Sequence, residues 1–410
     1  MTSDTVKKDF LWNTLGSAVY ALSSVVLSFV AMRLLGSEDG GVFAFGFSTF
    51  GQQMFIIAYF GIRPFQITDV TGEYSFRNYE KARFLTVGLS VLFAVLWLSF
   101  LRITGTYTGK KALCILLLSL YKIADGYADC LESECQRKGV LWRGGRALFG
   151  RTVFCSGVLL AALWITGNVL ASVAVSDLLQ VLFCLFLRKR FSRDGILTDE
   201  KTGGGEKKLL QSTVLLFLGV FLDFFIFSSS KYAIDWRLSD SLSGVFNILF
   251  MPTNAIYLVA NFIIKPFMTP MADAYHAGDG ESFRKIRRKL TLLIGGLTVF
   301  SVAAVLLLGK TALGICEKIL GDGYHGELTA HTAEFVLIIF GGGLYALANL
   351  SYYILVMKRK QREIFIVYLV TAFVALGLSL WLTGIWGITG AAVSYAALMS
   401  LLVAGFQIVD

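Results

Sequence analysis

Apolar runs of about twenty residues recur along the whole chain between short polar connections, each long enough to carry a helix across a hydrocarbon core of ~30 Å. The pattern predicts twelve helical segments, over 12–34, 42–62, 84–103, 112–136, 147–166, 169–187, 209–231, 244–264, 290–309, 333–357, 363–383 and 387–408. No small-residue cleavage site follows the first run, which reads as a retained helix rather than a signal peptide. The fourth segment breaks the pattern. Its stretch "YKIADGYAD" at 121–129 places Lys122, Asp125 and Asp129 straight after "ALCILLLSL". At about 100° per residue, these three fall with Glu132 and Gln136 inside an arc of about 80°, so the segment carries one polar stripe. Two readings fit it. Lys122 and Asp125 can neutralise each other across i,i+3. Alternatively, the stripe is a hydrophilic wall of a transport cavity, because ionisable groups in membrane segments normally face a bundle interior or water.

The connections sort by charge. Those on the side of the N-terminus hold 28 of the 37 basic residues, including Lys7, Lys8, Arg63, Arg83, Arg143, Arg146, Arg151 and the runs "RKRFSR", "RKIRRK" and "KRKQR". Basic loops stay in the cytoplasm, so both termini are expected there. The formal net charge of +9 is then a topology signal, which argues against a nucleic-acid partner.

The Gly-rich charged stretch "TDEKTGGGEKK" at 198–208 reads as a flexible linker between one bundle at 1–197 and another at 209–410. The two sides match. "GVF" at 41–43 returns at 244–246, "RPF" at 63–65 as "KPF" at 265–267, "SFR" at 75–77 at 282–284, and Gly167 aligns with Gly387. Six segments per half make the halves parallel, related by an axis along the membrane normal, an arrangement in which a transporter's substrate site lies between them. The alignment maps Asp125 to Tyr345, Asp129 to Asn349 and Glu132 to Tyr352. An acidic wall would then oppose a tyrosine and asparagine wall suited to sugar faces and hydroxyls. Helix packing is the other reading of Tyr345 and Tyr352.

Pro64 and Pro266 stand beside Arg63 and Lys265 at matched cytoplasmic ends. They read as helix terminators, or the basic pair forms a gate for phosphate with Arg143, Arg146 and Arg151 behind it. Positive-inside bias explains the same cations. Asn247, Asn254 and Asn261, at heptad spacing, are interhelical glue or cavity lining. Asp125, Asp177 and Asp223 are candidates for ion coupling; Asp177 and Asp223 can equally bond a neighbouring helix. In the first segment, Asn13, Ser17, Tyr20 and Ser24 share one side, expected to face inward.

Composition narrows the class. Only 16% of residues are charged, against about 25% in soluble domains, so the chain is an all-α polytopic membrane protein. The six cysteines show no paired framework and read as small buried hydrophobes. His325, Glu327 and His331 do not make an H-E-x-x-H site, and no P-loop is present. Neither metal, cofactor nor enzymatic activity is expected.

Four stretches carry a family resemblance: "NTLGSAVYALSSVVLSFVAMRLLGSEDGGVFAF", "YKIADGYADCLESECQRKG", "KPFMTPMADAYHAGDGESFRKIRRK" and "GIWGITGAAVSYAALMSLLVAG", the last with a G-I-x-G-A-A pattern. Over nearly all its length the chain resembles the polysaccharide flippases of the multidrug/oligosaccharidyl-lipid/polysaccharide exporter superfamily. The resemblance implies two six-helix bundles around a central cavity in a bacterial inner membrane. It implies alternating access, driven in the best-known members by H+ or Na+ gradients. The expected cargo is an undecaprenyl-diphosphate-linked oligosaccharide, moved to the outer leaflet by a monomer among membrane lipids. Two features of the peptidoglycan-precursor branch are missing: extra C-terminal helices and charges in the first segment before Arg33. A multidrug exporter of the same fold is the alternative.

Overall fold

The computed structural model describes residues 3–69, 72–197 and 205–410. Residues 198–204 of the expected linker, Lys201 included, lie outside the described residues. The described residues form helices and no strand. In the first half these are α1 (Ser3–Phe45), a π-helical turn (Gly46–Phe50), α2 (Gly51–Tyr59), α3 (Ile62–Thr68), α4 (Phe76–Ile103), α5 (Gly109–Arg137), α6 (Leu141–Thr166) and α7 (Val169–Arg193). Then come α8 (Glu206–Arg237), α9 (Asp240–Ile264), α10 (Met268–His276), α11 (Gly280–Leu320), α12 (Glu327–Ala330), α13 (Thr332–Met357) and α14 (Gln361–Val409).

The predicted segments fall on helix, except that 42–62 runs through the turn at Phe60 and Gly61. Among the described residues, nine helical stretches are long and apolar enough to cross a membrane. Two of the nine, Lys7–Tyr59 and Gln361–Val409, contain breaks at Gly36 (φ 80°) and Gly387 (φ 59°). α5 has 29 residues but is not among the nine, since its apolar part cannot avoid Lys122 and Asp125. Gly167, the repeat partner of Gly387, ends α6 with φ 60°. Both positions take a positive φ, which glycine adopts without penalty.

The chain divides into two compact units, Met1–Phe221 and Leu222–Asp410. The division falls inside α8, later than the linker that the sequence marks. The reason is packing. The start of α8 belongs to the first unit: Phe217 stacks on Phe60 with centroids 4.2 Å apart, Leu209 is fully buried, and Gln53 Nε2 donates to the Phe221 carbonyl at 3.2 Å.

In the first unit α5 is the enclosed helix. It packs against α2, α3, α4, α6 and α7. Its neighbours take the outward positions: Leu85, Leu89, Leu92, Leu96 and Phe100 form an exposed apolar stripe on α4, suited to lipid. A helix with this many charges is tolerable in a membrane fold only in such a sheltered place. In the second unit α13, the repeat partner of α5, is enclosed by α9, α11 and α14. Its Gly341, Gly342 and Gly343 lie so close to Tyr395, Thr253 and Thr298 that an added Cβ would stand 2.6, 3.1 and 2.2 Å from them.

Pro64 corrects one expectation. It lies within α3 and ends nothing; α2 stops earlier, where Phe60 (φ 50°) and Gly61 (φ 65°) turn left-handed. Pro266 does follow a helix end, in the 3-10 turn Lys265–Phe267 after α9.

The crossing of α1 and α6 sets the width of the first unit. A Cβ at Gly145 would sit 2.6 Å from the Trp12 carbonyl, and one at Gly16 would sit 2.5 Å from the Gly145 carbonyl oxygen. Small residues allow this backbone approach. Gly145→Val is therefore expected to force the helices apart, destabilising the protein by about 1–3 kcal/mol or more. Thermal unfolding in detergent checks this. Gly157→Ala, on the same helix with open space around its added Cβ, should leave the melting temperature near that of the parent.

Candidate functional site

The polar stripe of α5 is met by cations from three other helices. Asp125 is paired with Arg151 of α6, and also accepts from Gln180 Nε2 of α7 at 2.7 Å and from the Tyr20 hydroxyl at 3.3 Å. The other arm of Arg151 reaches Glu132 Oε1 at 3.2 Å. Asp129 is shared by Arg63 of α3 at 2.5 Å and Arg83 of α4 at 3.1 Å. Arg63 also donates to Gln136 Oε1 at 3.1 Å. The result is two interleaved triads. Asp125–Arg151–Glu132 has one carboxylate in excess, and Arg63–Asp129–Arg83 one guanidinium.

Local structure explains how each arginine arrives. The left-handed end of α2 frees the Ala58 carbonyl, which Arg83 Nη1 and the Thr86 hydroxyl take at 2.8 and 2.7 Å. A free carbonyl in the last turn of a helix needs such partners. On α6, Gly144, Ala147, Arg151 and Cys155 form a buried face of small residues, so the Arg151 side chain reaches α5 without a clash. Arg151 is 2% exposed and Arg83 fully buried.

Lys122 is not the partner of Asp125. Its ammonium lies 4.0 Å from the centroid of the Phe47 ring, within the π-helical turn, and 5.4 Å from that of Tyr20, a cation–π seat. No ion pair joins Lys122 to Asp125 among the described residues; one arm of Arg151 holds the Asp125 carboxylate and the other reaches Glu132. Arg151 was expected in a cytoplasmic connection and is instead an internal residue.

A cavity of about 270 Å³ opens beside the triads, lined by Asn13, Ser17 and Tyr20 of α1, Arg63, the three carboxylates, Arg151 and the apolar Phe55, Leu141 and Leu148. Toward the end of α5 a second network closes. Glu134 binds Gln66 at 2.9 Å and Arg137 at 2.6 Å, and Arg137 also donates to the Tyr74 carbonyl at 2.8 Å. Nearby Asp69, in the connection after α3, accepts from the Tyr79 hydroxyl and the Glu73 and Tyr74 amides. Burial opposes ionisation of Asp69, but these donors outweigh it and hold the carboxyl below its ordinary range.

The remaining expected residues lie elsewhere. In the second unit Asp223 of α8 accepts from the Tyr345 hydroxyl at 2.7 Å and bonds the Tyr368 hydroxyl. Tyr257 stacks on Tyr345 with centroids 5.3 Å apart. Asn349 and Tyr353 both donate to Asn261 Oδ1 at 3.2 Å, and Tyr352 packs against Tyr353 and Tyr368. The asparagine stripe divides: Asn247 and Asn261 are buried and bond their own helix, while Asn254 is exposed. Lys265 is exposed, whereas its repeat partner Arg63 is half-buried. Asp177 of α7 stands apart from the triads, with both carboxylate oxygens buried and no hydrogen-bond partner among the described residues.

Sequence reasoning missed Gln180 and the pairing of Arg83 and Arg151 with the stripe, having placed Arg151 behind a phosphate gate. Positive-inside bias accounted for both arginines and so hid them. The signal that finds them is helical spacing: each lies in register with small residues, Arg83 with Thr86, Ser90 and Ala94, and Arg151 with Gly144, Ala147 and Cys155.

No protein-family model and no curated protein matches the sequence. Solved structures do match its fold. An inward-facing multidrug resistance MATE family transporter of the MOP superfamily aligns with TM-score 0.64 at 13% identity, covering 95% of this chain and 93% of that one. The eukaryotic MATE transporter AtDTX14 aligns with TM-score 0.65 at 11% identity, over 99% of this chain and 96% of its own. A MOP superfamily transporter from Pyrococcus furiosus, described as having a binding pocket of reverse polarity, aligns with TM-score 0.56 at 13% identity, over 98% and 94%. The chain thus has the all-helical fold of MATE transporters and is a multi-pass membrane protein. At these identities the likeness extends to fold alone.

Removing one member of a triad should be far more damaging than removing an unpaired group. Asp129→Asn leaves Arg63 and Arg83 facing each other and should cost about 3–5 kcal/mol. Asp177→Asn, which breaks no pair, should be neutral or stabilising. Unfolding of the two variants in detergent, monitored side by side, checks the contrast.

Proposed function

We propose that the chain is a membrane transporter that works by alternating access, with twelve crossings, both termini cytoplasmic, in a bacterial inner membrane. The observation that carries this reading is the pair of ion triads buried within a MATE-type fold. Three carboxylates with shared guanidinium partners can exchange partners at small energetic difference, which is what an ion- or substrate-driven change of state requires. H+ or Na+ is the proposed coupling ion, with Asp125 the leading acceptor and Asp223 second. The protein acts by moving a solute rather than by transforming one.

The proposed solutes are amphipathic organic cations. Two of the similar solved structures are described as MATE transporters, one of them in a multidrug resistance family, which favours export of this kind over flipping of a lipid-linked glycan. The second unit supports it. Asp223 stands among Tyr345, Tyr368 and Tyr257 with no cationic partner among the described residues, and a carboxylate ringed by aromatic faces attracts a desolvated cation. The glycan reading places the substrate's diphosphate at Arg63, which Asp129 also contacts. One observation favours that reading: Tyr352, Tyr353, Asn349 and Asn261 offer stacking surface and hydrogen bonds of the sort sugars use.

Expression in a drug-sensitive bacterial host should lower ethidium accumulation severalfold, and Asp125→Asn should abolish the effect while the protein remains in the membrane. Unchanged accumulation, together with loss of surface polysaccharide when the gene is deleted from its own host, would replace the export reading with the flippase one.

A further inference from the structure

The cavity of the first unit has a polarity that neither an organic cation nor a diphosphate matches. Its walls carry opposite imbalances. Asp125 and Glu132 share the single guanidinium of Arg151, while Asp129 has both Arg63 and Arg83. Arg63 faces the cavity with 29% of its side chain exposed, and its bonds to Asp129 and Gln136 use two N–H groups of the five an arginine offers. Arg151, 2% exposed, lines the same cavity and is taken up by Asp125 and Glu132. Asn13 and Ser17 line the same space. Lys122 does not line the cavity; its charge is seated on Phe47 and Tyr20.

A cation alone would satisfy the Asp125–Glu132 side and leave Arg63 and Arg83 in excess. An anion alone would do the reverse. A molecule with both charges a few ångströms apart satisfies the two sides together. At about 270 Å³, the cavity lies just below the size of drug-binding pockets, about 300–1,000 Å³, and suits a metabolite of amino-acid size. Phe55, Leu141 and Leu148 leave an apolar corner for a side chain.

We propose that this cavity binds a small zwitterion of the α-amino-acid type, with its ammonium at Asp125 and Glu132, its carboxylate at Arg63, and a medium-sized apolar side chain against Phe55, Leu141 and Leu148. The site is separate from the Asp223 cluster. The proposal does not rest on the export reading, because binding is measured without transport.

Calorimetric titration of the full chain in lipid nanodiscs with three related compounds tests it. Leucine carries both charges, leucine methyl ester only the positive one, and N-acetyl-leucine only the negative one. Leucine should bind at least about tenfold more tightly than either derivative. Glu132→Gln should weaken leucine and the ester but not N-acetyl-leucine; Arg63→Gln should weaken leucine and N-acetyl-leucine but not the ester. The comparison on the unaltered protein stands even where a variant fails to fold. Equal binding of leucine and the ester would make the cavity a plain cation site. Equal binding of leucine and N-acetyl-leucine would make it an anion site. Either result, or no leucine binding at millimolar concentration, overturns the proposal.

Discussion

A charge withdrawn from water must find an opposite charge or remain costly. The first unit is organised around that constraint at Arg151, which is buried on α6 and bridges Asp125 and Glu132 of α5. The rest follows in order. The α1–α6 crossing must be tight, hence Gly16 against Gly145. The end of α2 must turn back early, so that the Ala58 carbonyl can hold Arg83 against Asp129. The neighbours of α5 must present apolar faces outward, as α4 does with Leu85, Leu89, Leu92 and Leu96.

The two halves share a backbone plan but not a chemistry. Gly167 and Gly387 both take a positive φ at matched positions, and α5 and α13 are each enclosed by their neighbours. Yet α5 is closed by ion pairs, whereas α13 is closed by glycine contacts and by tyrosine and asparagine hydrogen bonds. The first arrangement depends on electrostatic matching and so responds to added charge. The second offers aromatic surface around one carboxylate. Two units with unlike cores give one protein two different polar clusters.

Much of the fold was legible because hydrocarbon imposes a length. The apolar runs read from the sequence are helical, apart from the turn at Phe60 and Gly61, and the stripe from Asp125 to Gln136 emerges from the helical period alone. The partners of that stripe were less legible. Arg83 and Arg151 sit at the edges of apolar runs, where a basic residue is also explained by membrane orientation, and only the small residues in register with them hint at burial. The seat of Lys122 was hidden for a related reason. The i,i+3 rule is local, whereas the Phe47 ring that receives its ammonium comes from a turn 75 positions away in the chain. The early stop of α2 at Phe60 had no cue, since the adjacent Pro64 offered a more familiar one.

The coupling between Asp125 and Arg151 is the most direct test of this organisation. A double-mutant cycle with Asp125→Asn, Arg151→Gln and the combined variant, read as unfolding free energy in nanodiscs, isolates it. If the buried pair anchors the first unit, the combined loss should fall short of the sum of the single losses by at least about 1 kcal/mol, because removing both partners leaves less uncompensated charge than removing the arginine alone. Losses that add to within about 0.5 kcal/mol would mean that the two side chains act independently, and the first unit would then not depend on their pairing.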